Sequence, residues 1–95
     1  MKADAVISGT GNKILLDGRK SEGGFRFTWT IEKMPLGVPL FILNENDLHQ
    51  KGYLDNAGSL VTMADLPSPG EWEFKLTLWN EDSTKQDSVI IPYSF

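Results

Sequence analysis

Gly70-Glu71-Trp72-Glu73-Phe74-Lys75-Leu76-Thr77-Leu78-Trp79 alternates apolar and polar residues almost without interruption. Side chains along an extended strand point to opposite faces with period 2. Trp72, Phe74, Leu76 and Leu78 therefore share one face, and Glu71, Glu73, Lys75, Thr77 and Trp79 share the other. The pattern predicts a strand with one face in a core and the other toward solvent. Trp72 and Trp79 are seven positions apart, so parity places them on opposite faces. Trp72 is assigned to the core, and Trp79 to the polar face or the hairpin rim.

The same signal recurs along the chain. Phe25, Phe27, Trp29 and Ile31 alternate with Arg26, Thr28 and Thr30, which predicts a second inward stripe. Ala5-Val6-Ile7-Ser8 stops at Gly9-Thr10-Gly11-Asn12, and Ile14-Leu15-Leu16 stops at Asp17-Gly18. Leu60-Val61-Thr62-Met63 precedes the punctuated turn Leu66-Pro67-Ser68-Pro69-Gly70. After the polar loop Asn80-Glu81-Asp82-Ser83-Thr84, Val89, Ile91 and Tyr93 alternate with Ser88, Ile90 and Pro92. The apolar run Val38-Pro39-Leu40-Phe41-Ile42-Leu43 carries a proline, which demotes it to an edge strand or an irregular segment. Residues 44–56 read as loop, with room for one helical turn over residues 45–51. About seven short strands separated by turns predict an antiparallel β-sandwich, all-β, in which two inward faces interdigitate. Each large aromatic buried there contributes on the order of 2–3 kcal/mol.

Composition narrows the function. The 95 residues are expected to form one domain spanning residues 1–95. The net charge is −4 and the basic residues are scattered, so no nucleic-acid footprint is visible. Cysteine is absent, which removes disulfides, thiolate zinc sites and cysteine nucleophiles. No apolar run reaches membrane-spanning length, and Met1-Lys2-Ala3-Asp4 leads into no signal-peptide core. No membrane insertion is expected, and the chain reads as cytosolic or as part of a longer multidomain protein.

The order of signals has a family likeness. Ile14-Leu15-Leu16-Asp17-Gly18-Arg19-Lys20-Ser21, then Phe27-Thr28-Trp29-Thr30, come first. The strand from Gly70 to Leu78, the turn Asn80-Glu81-Asp82 and Asp87-Ser88-Val89 follow. This series resembles the PKD-like and REJ-like group of immunoglobulin-like domains over most of the chain. The group's Trp-Asp-Phe-Gly-Asp-Gly segment is missing here, residues 35–58 have no counterpart, and Trp72 stands where the group usually has tyrosine. The resemblance implies an immunoglobulin-like sandwich in an extracellular or cell-surface protein, serving as spacer, adhesion unit or accessory module. The partner it implies is a carbohydrate or a neighbouring protein domain.

Catalytic signals are thin. The lone histidine, His49, sits in a polar run with no partner set for a triad or a zinc site. Glu71 and Glu73 are about 7 Å apart along one strand face, a spacing that overlaps that of inverting glycosidases. An open sheet face lacks the cleft that tunes such acids, so these two with Lys75 and Arg26 read as a cross-strand charge ladder. The chain is expected not to be an enzyme and to need no cofactor. Ca²⁺ enters on fold analogy alone, because Asp17 and Asp82 read as caps of their own turns.

The candidate binding residues are Trp79, Lys75, Asn80 and Glu81. A flat indole stacks on the apolar face of a sugar ring, and the three polar neighbours could satisfy its hydroxyls. The competing readings have Trp79 packing over Ile90 or Pro92, or meeting the next domain of a longer protein. The apolar segment 34–41 is expected to cover a sheet edge. An alternative function is an assembly subunit, of a virion or fibre, using the same aromatic face as a protein interface.

Overall fold

The alternation in Glu71–Trp79 produces the strand it predicts, and that strand lies at the centre of one of two sheets. The computed structural model describes residues 1–36 and 53–95. Within them the strands are β1 (Val6–Ser8), β2 (Lys13–Asp17), β3 (Arg26–Lys33), β4 (Val61–Asp65), β5 (Glu71–Trp79) and β6 (Gln86–Ser94). About seven strands were expected; six form among the described residues, and Leu54 adds a single bridge to Ala64. The proline-bearing run at 38–43, the helical turn at 45–51 and His49 lie outside the described residues.

The sheets are β1-β2-β4 and β3-β5-β6, each with antiparallel neighbours. Two hairpins, β1–β2 and β5–β6, stay within a sheet, while the chain changes sheet between β2 and β3, β3 and β4, and β4 and β5. Such crossing keeps both inward faces covered, as an immunoglobulin-like sandwich requires. One inward face supplies Trp29, Trp72, Phe74, Leu76 and Leu78, and the other supplies Ile14, Leu16 and Ala64, all essentially buried. The Trp72 and Phe74 rings lie parallel with centroids 6.4 Å apart, and Tyr53 meets Trp72 edge-on at the same separation. Both core indoles keep a partner: Trp72 Nε1 donates to the Ser68 carbonyl at 3.1 Å, and Trp29 Nε1 to the Leu60 carbonyl at 3.4 Å.

Phe25 corrects the predicted inward stripe. It is 68% exposed and precedes the first residue of β3. Its backbone N–H reaches the Trp79 carbonyl at 2.7 Å, but Phe27 opposite Leu78 forms the last inward row that the core covers. Parity sets the direction of a side chain; cover depends on how far the opposing sheet extends.

Among the described residues strand β6 is an edge, paired with β5 alone. Gly70 and Phe95 exchange both backbone hydrogen bonds, at 3.0 and 3.2 Å. Antiparallel pairs alternate between bonded and non-bonded, so Glu73 opposite Pro92 falls on a non-bonded pair. The missing N–H of Pro92 therefore faces the open edge, where it costs no ladder bond and removes one donor from the edge. Of the segment expected to cover an edge, Met34 packs on the core, Pro35 lies against Gly70 and Leu36 is fully exposed; the remainder lies outside the described residues.

Candidate functional site

The outward face of β3-β5-β6 is built in cross-strand rows. Register places Arg26, Trp79 and Gln86 side by side, then Thr28, Thr77 and Ser88, then Thr30, Lys75 and Ile90. Thr77, at the centre of the central strand, is buried by its neighbours, whereas Arg26, Gln86, Ser88 and Ile90 are exposed. Two ladders, unbroken across these rows, hold the side chains at fixed spacing, as a recognition surface needs.

Trp79 is half-buried in the first row. The Arg26 guanidinium stands over its ring, with Cζ 4.9 Å from the ring centroid. That distance is within reach of cation–π attraction, worth about 0.5–1 kcal/mol at an exposed site. Unlike the two core indoles, Trp79 Nε1 is closed off from solvent and has no hydrogen-bond partner among the described residues. Register also excludes Ile90 and Pro92 as what Trp79 covers, since they lie opposite Lys75 and Glu73.

The other three predicted residues are dispersed. Lys75 shares the face, but it lies four residues along the strand, about 13 Å from Trp79 by strand rise. Its Nζ is 3.9 Å from Glu32 Oε1. Asn80 is committed to its own loop: its Nδ2 donates to Thr84 Oγ1 at 3.0 Å and its Oδ1 accepts from the Lys85 N–H at 2.9 Å. Glu81 is exposed in the same hairpin loop, in which Ser83 adopts the left-handed region at φ 60°. Structure thus joins Trp79 to Arg26 and Gln86 rather than to Asn80 and Glu81. The sequence places Arg26 in a charge ladder, whereas register sets it on the indole.

The expected charge ladder does not form as drawn: Lys75 pairs with Glu32 and Glu71 with Lys33, and neither Glu73 nor Arg26 has an ion-pair partner among the described residues. Lys33 Nζ binds Glu71 at 3.1 Å, beside Glu73 at the rim of an open groove of about 410 Å³. Both partners keep half or more of their side chains in solvent, so this pair adds little stability. The turn acids act locally as well. Asp17 accepts from the Arg19 backbone N–H at 2.9 Å and from its guanidinium at 2.8 Å, and these bonds hold its carboxyl below the ordinary carboxylate value. Asp82 is lowered in the same direction by the Thr84 hydroxyl at 2.6 Å and the Thr84 N–H at 3.2 Å. No group of three metal-ligating side chains occurs among the described residues.

The chain matches no known family model and no curated protein. Among solved structures it is similar to the solution structure of the PKD domain from KIAA 1837 protein. The TM-score is 0.67 at 23% identity, over 97% of this chain and 82% of that one. This likeness establishes the fold, an immunoglobulin-like sandwich of PKD type, as the order of turn and strand signals had implied.

Proposed function

We propose that this chain is a non-catalytic accessory or adhesion module of a secreted or cell-surface protein, and that it holds carbohydrate on the outer face of β3-β5-β6. The observation that carries the reading is the half-buried Trp79, set in a rigid row with Arg26 and Gln86 while Trp29 and Trp72 fill the core. An aromatic surface flanked by amide and hydroxyl groups (Gln86, Thr28, Ser88) suits a sugar, which offers an apolar ring face and a rim of hydroxyls. The extracellular setting is inferred from the PKD-type fold, which is an analogy of fold and not of site. The test is a pull-down on soluble and insoluble polysaccharides, wild type beside Trp79→Ala. Binding abolished by the substitution at unchanged Tm supports the reading; no binding by either protein refutes it.

A second reading has its own observation. Ile90 is 52% exposed on the same face, and tryptophan and arginine are enriched among interface hot spots. A neighbouring protein domain, or another subunit of an assembly, would bury Ile90 where a sugar would not. Sedimentation velocity at micromolar concentration decides the assembly case: a stable oligomer supports it, and a monomer removes it.

A further inference from the structure

We propose that the Arg26–Trp79 pair selects an acidic polysaccharide, one carrying uronic acid units, by taking the sugar carboxylate on the guanidinium; the inference rests on the carbohydrate reading above. Two independent observations carry it. First, the indole is not an open platform. The guanidinium covers one ring face at 4.9 Å, so a neutral sugar stacking there must displace a cation and return nothing to it. A uronic acid returns a carboxylate, whose two oxygens match the paired N–H groups of arginine.

Second, among the described residues Arg26 is the cation of this face without a carboxylate partner. Lys75 is neutralised by Glu32 at 3.9 Å and Lys33 by Glu71 at 3.1 Å, while Arg26 has no carboxylate partner among the described residues. Trp79 adds a further unmet donor. Its Nε1 is shut from solvent and unpartnered, and a carboxylate that draws Arg26 outward uncovers the ring for the sugar's apolar face. Gln86 and Ser88, exposed on the adjacent strand, are placed for the neighbouring hydroxyls. The net charge of −4 opposes a polyanion at long range, so recognition here is local to the pair, and because Arg26 is exposed, added salt weakens it.

The experiment titrates the whole chain with tetragalacturonate, with cellotetraose and with a hexaglutamate peptide, following tryptophan emission. Trp29 and Trp72 are no more than 1% exposed, so a change in emission reports Trp79. The expected result is binding of tetragalacturonate at least about tenfold tighter than of the other two, lost by about tenfold in Arg26→Gln. Arg26→Lys, which keeps the charge and loses the paired donors, should recover only part of the affinity. Arg26 is exposed, so both variants are expected to fold, and circular dichroism verifies it. Equal binding of the neutral sugar, or full binding by Arg26→Gln, overturns the acidic selectivity and leaves the carbohydrate reading standing. Tighter binding of the peptide transfers the pair to a protein ligand; binding of neither sugar overturns the acidic selectivity, and the polysaccharide pull-down then decides the carbohydrate reading.

Discussion

Replacing Trp79 by phenylalanine should leave the domain as stable as before or slightly more so, against the usual outcome of trimming a large aromatic. The substitution keeps a ring under Arg26 and removes the enclosed, unpartnered Nε1–H. Leaving such a donor buried costs about 1–3 kcal/mol, which the substitution recovers. Against this, an indole carries roughly 40 Å² more surface than a phenyl ring, worth about 1 kcal/mol when fully buried at ~25 cal/mol per Å² and about half that at half-buried Trp79. A weaker cation–π contact costs about another 0.5 kcal/mol. The sum is a change between about zero and 2 kcal/mol in favour of the variant. Trp72→Phe is the control, because its Nε1 is bonded to Ser68 and its ring is 1% exposed. There the hydrogen bond, the area and the cavity all count against the variant, for a loss of about 2–3 kcal/mol. Urea unfolding followed by circular dichroism, at constant m, reads both. If Trp79→Phe loses as much as Trp72→Phe, the indole N–H of Trp79 is satisfied and the account of this site is wrong.

Gly18→Ala should destabilise the fold by overpacking alone. An added Cβ would stand 2.5 Å from Leu76 Cδ2, 3.0 Å from Leu60 Cδ1 and 3.1 Å from the Leu60 carbonyl, which predicts a loss of about 1–3 kcal/mol of unfolding free energy, read as a lower urea midpoint. Tyr93→Phe removes the hydroxyl that donates to the Gly11 carbonyl at 2.6 Å and ties β6 to the β1–β2 loop; Tm should fall by about 4–8 °C for about 1 kcal/mol. Asp17 has a folded-state pKa below its ordinary value because of the Arg19 hydrogen bonds, so its contribution is present above the ordinary value and disappears as pH falls through the lowered one. The stability gap between wild type and Asp17→Asn should therefore be widest near neutral pH and close in strong acid. A gap that stays constant with pH contradicts the assignment.

Much of this fold was legible because strand alternation is a property of the local backbone. Trp72, Phe74, Leu76 and Leu78 had to share a face once that stretch was extended, and all four are in the core. The turn chemistry of Asp17 and Asp82 was equally local, since an aspartate reaches a backbone N–H two residues ahead without help from the rest of the chain. The candidate site was legible only in part. Parity marks Trp79, but its companions come from the neighbouring strands, while its sequence neighbour Asn80 closes the hairpin with its amide.

Periodicity and turn residues determined the strands, the direction of each side chain and the all-β class, because these depend on bonds and torsions a few residues long. Register and cover required the assembled sheets. Arg26 lies on Trp79 because β3 and β5 pair in one alignment out of several that would preserve the same alternation. Phe25 has the parity of the inward stripe and still meets solvent, because Phe27 opposite Leu78 is the last residue of that stripe packed on the core. Which cation stands on which ring, and which inward residue finds a neighbour, are decided by contacts between segments far apart in the chain, and no local pattern encodes them.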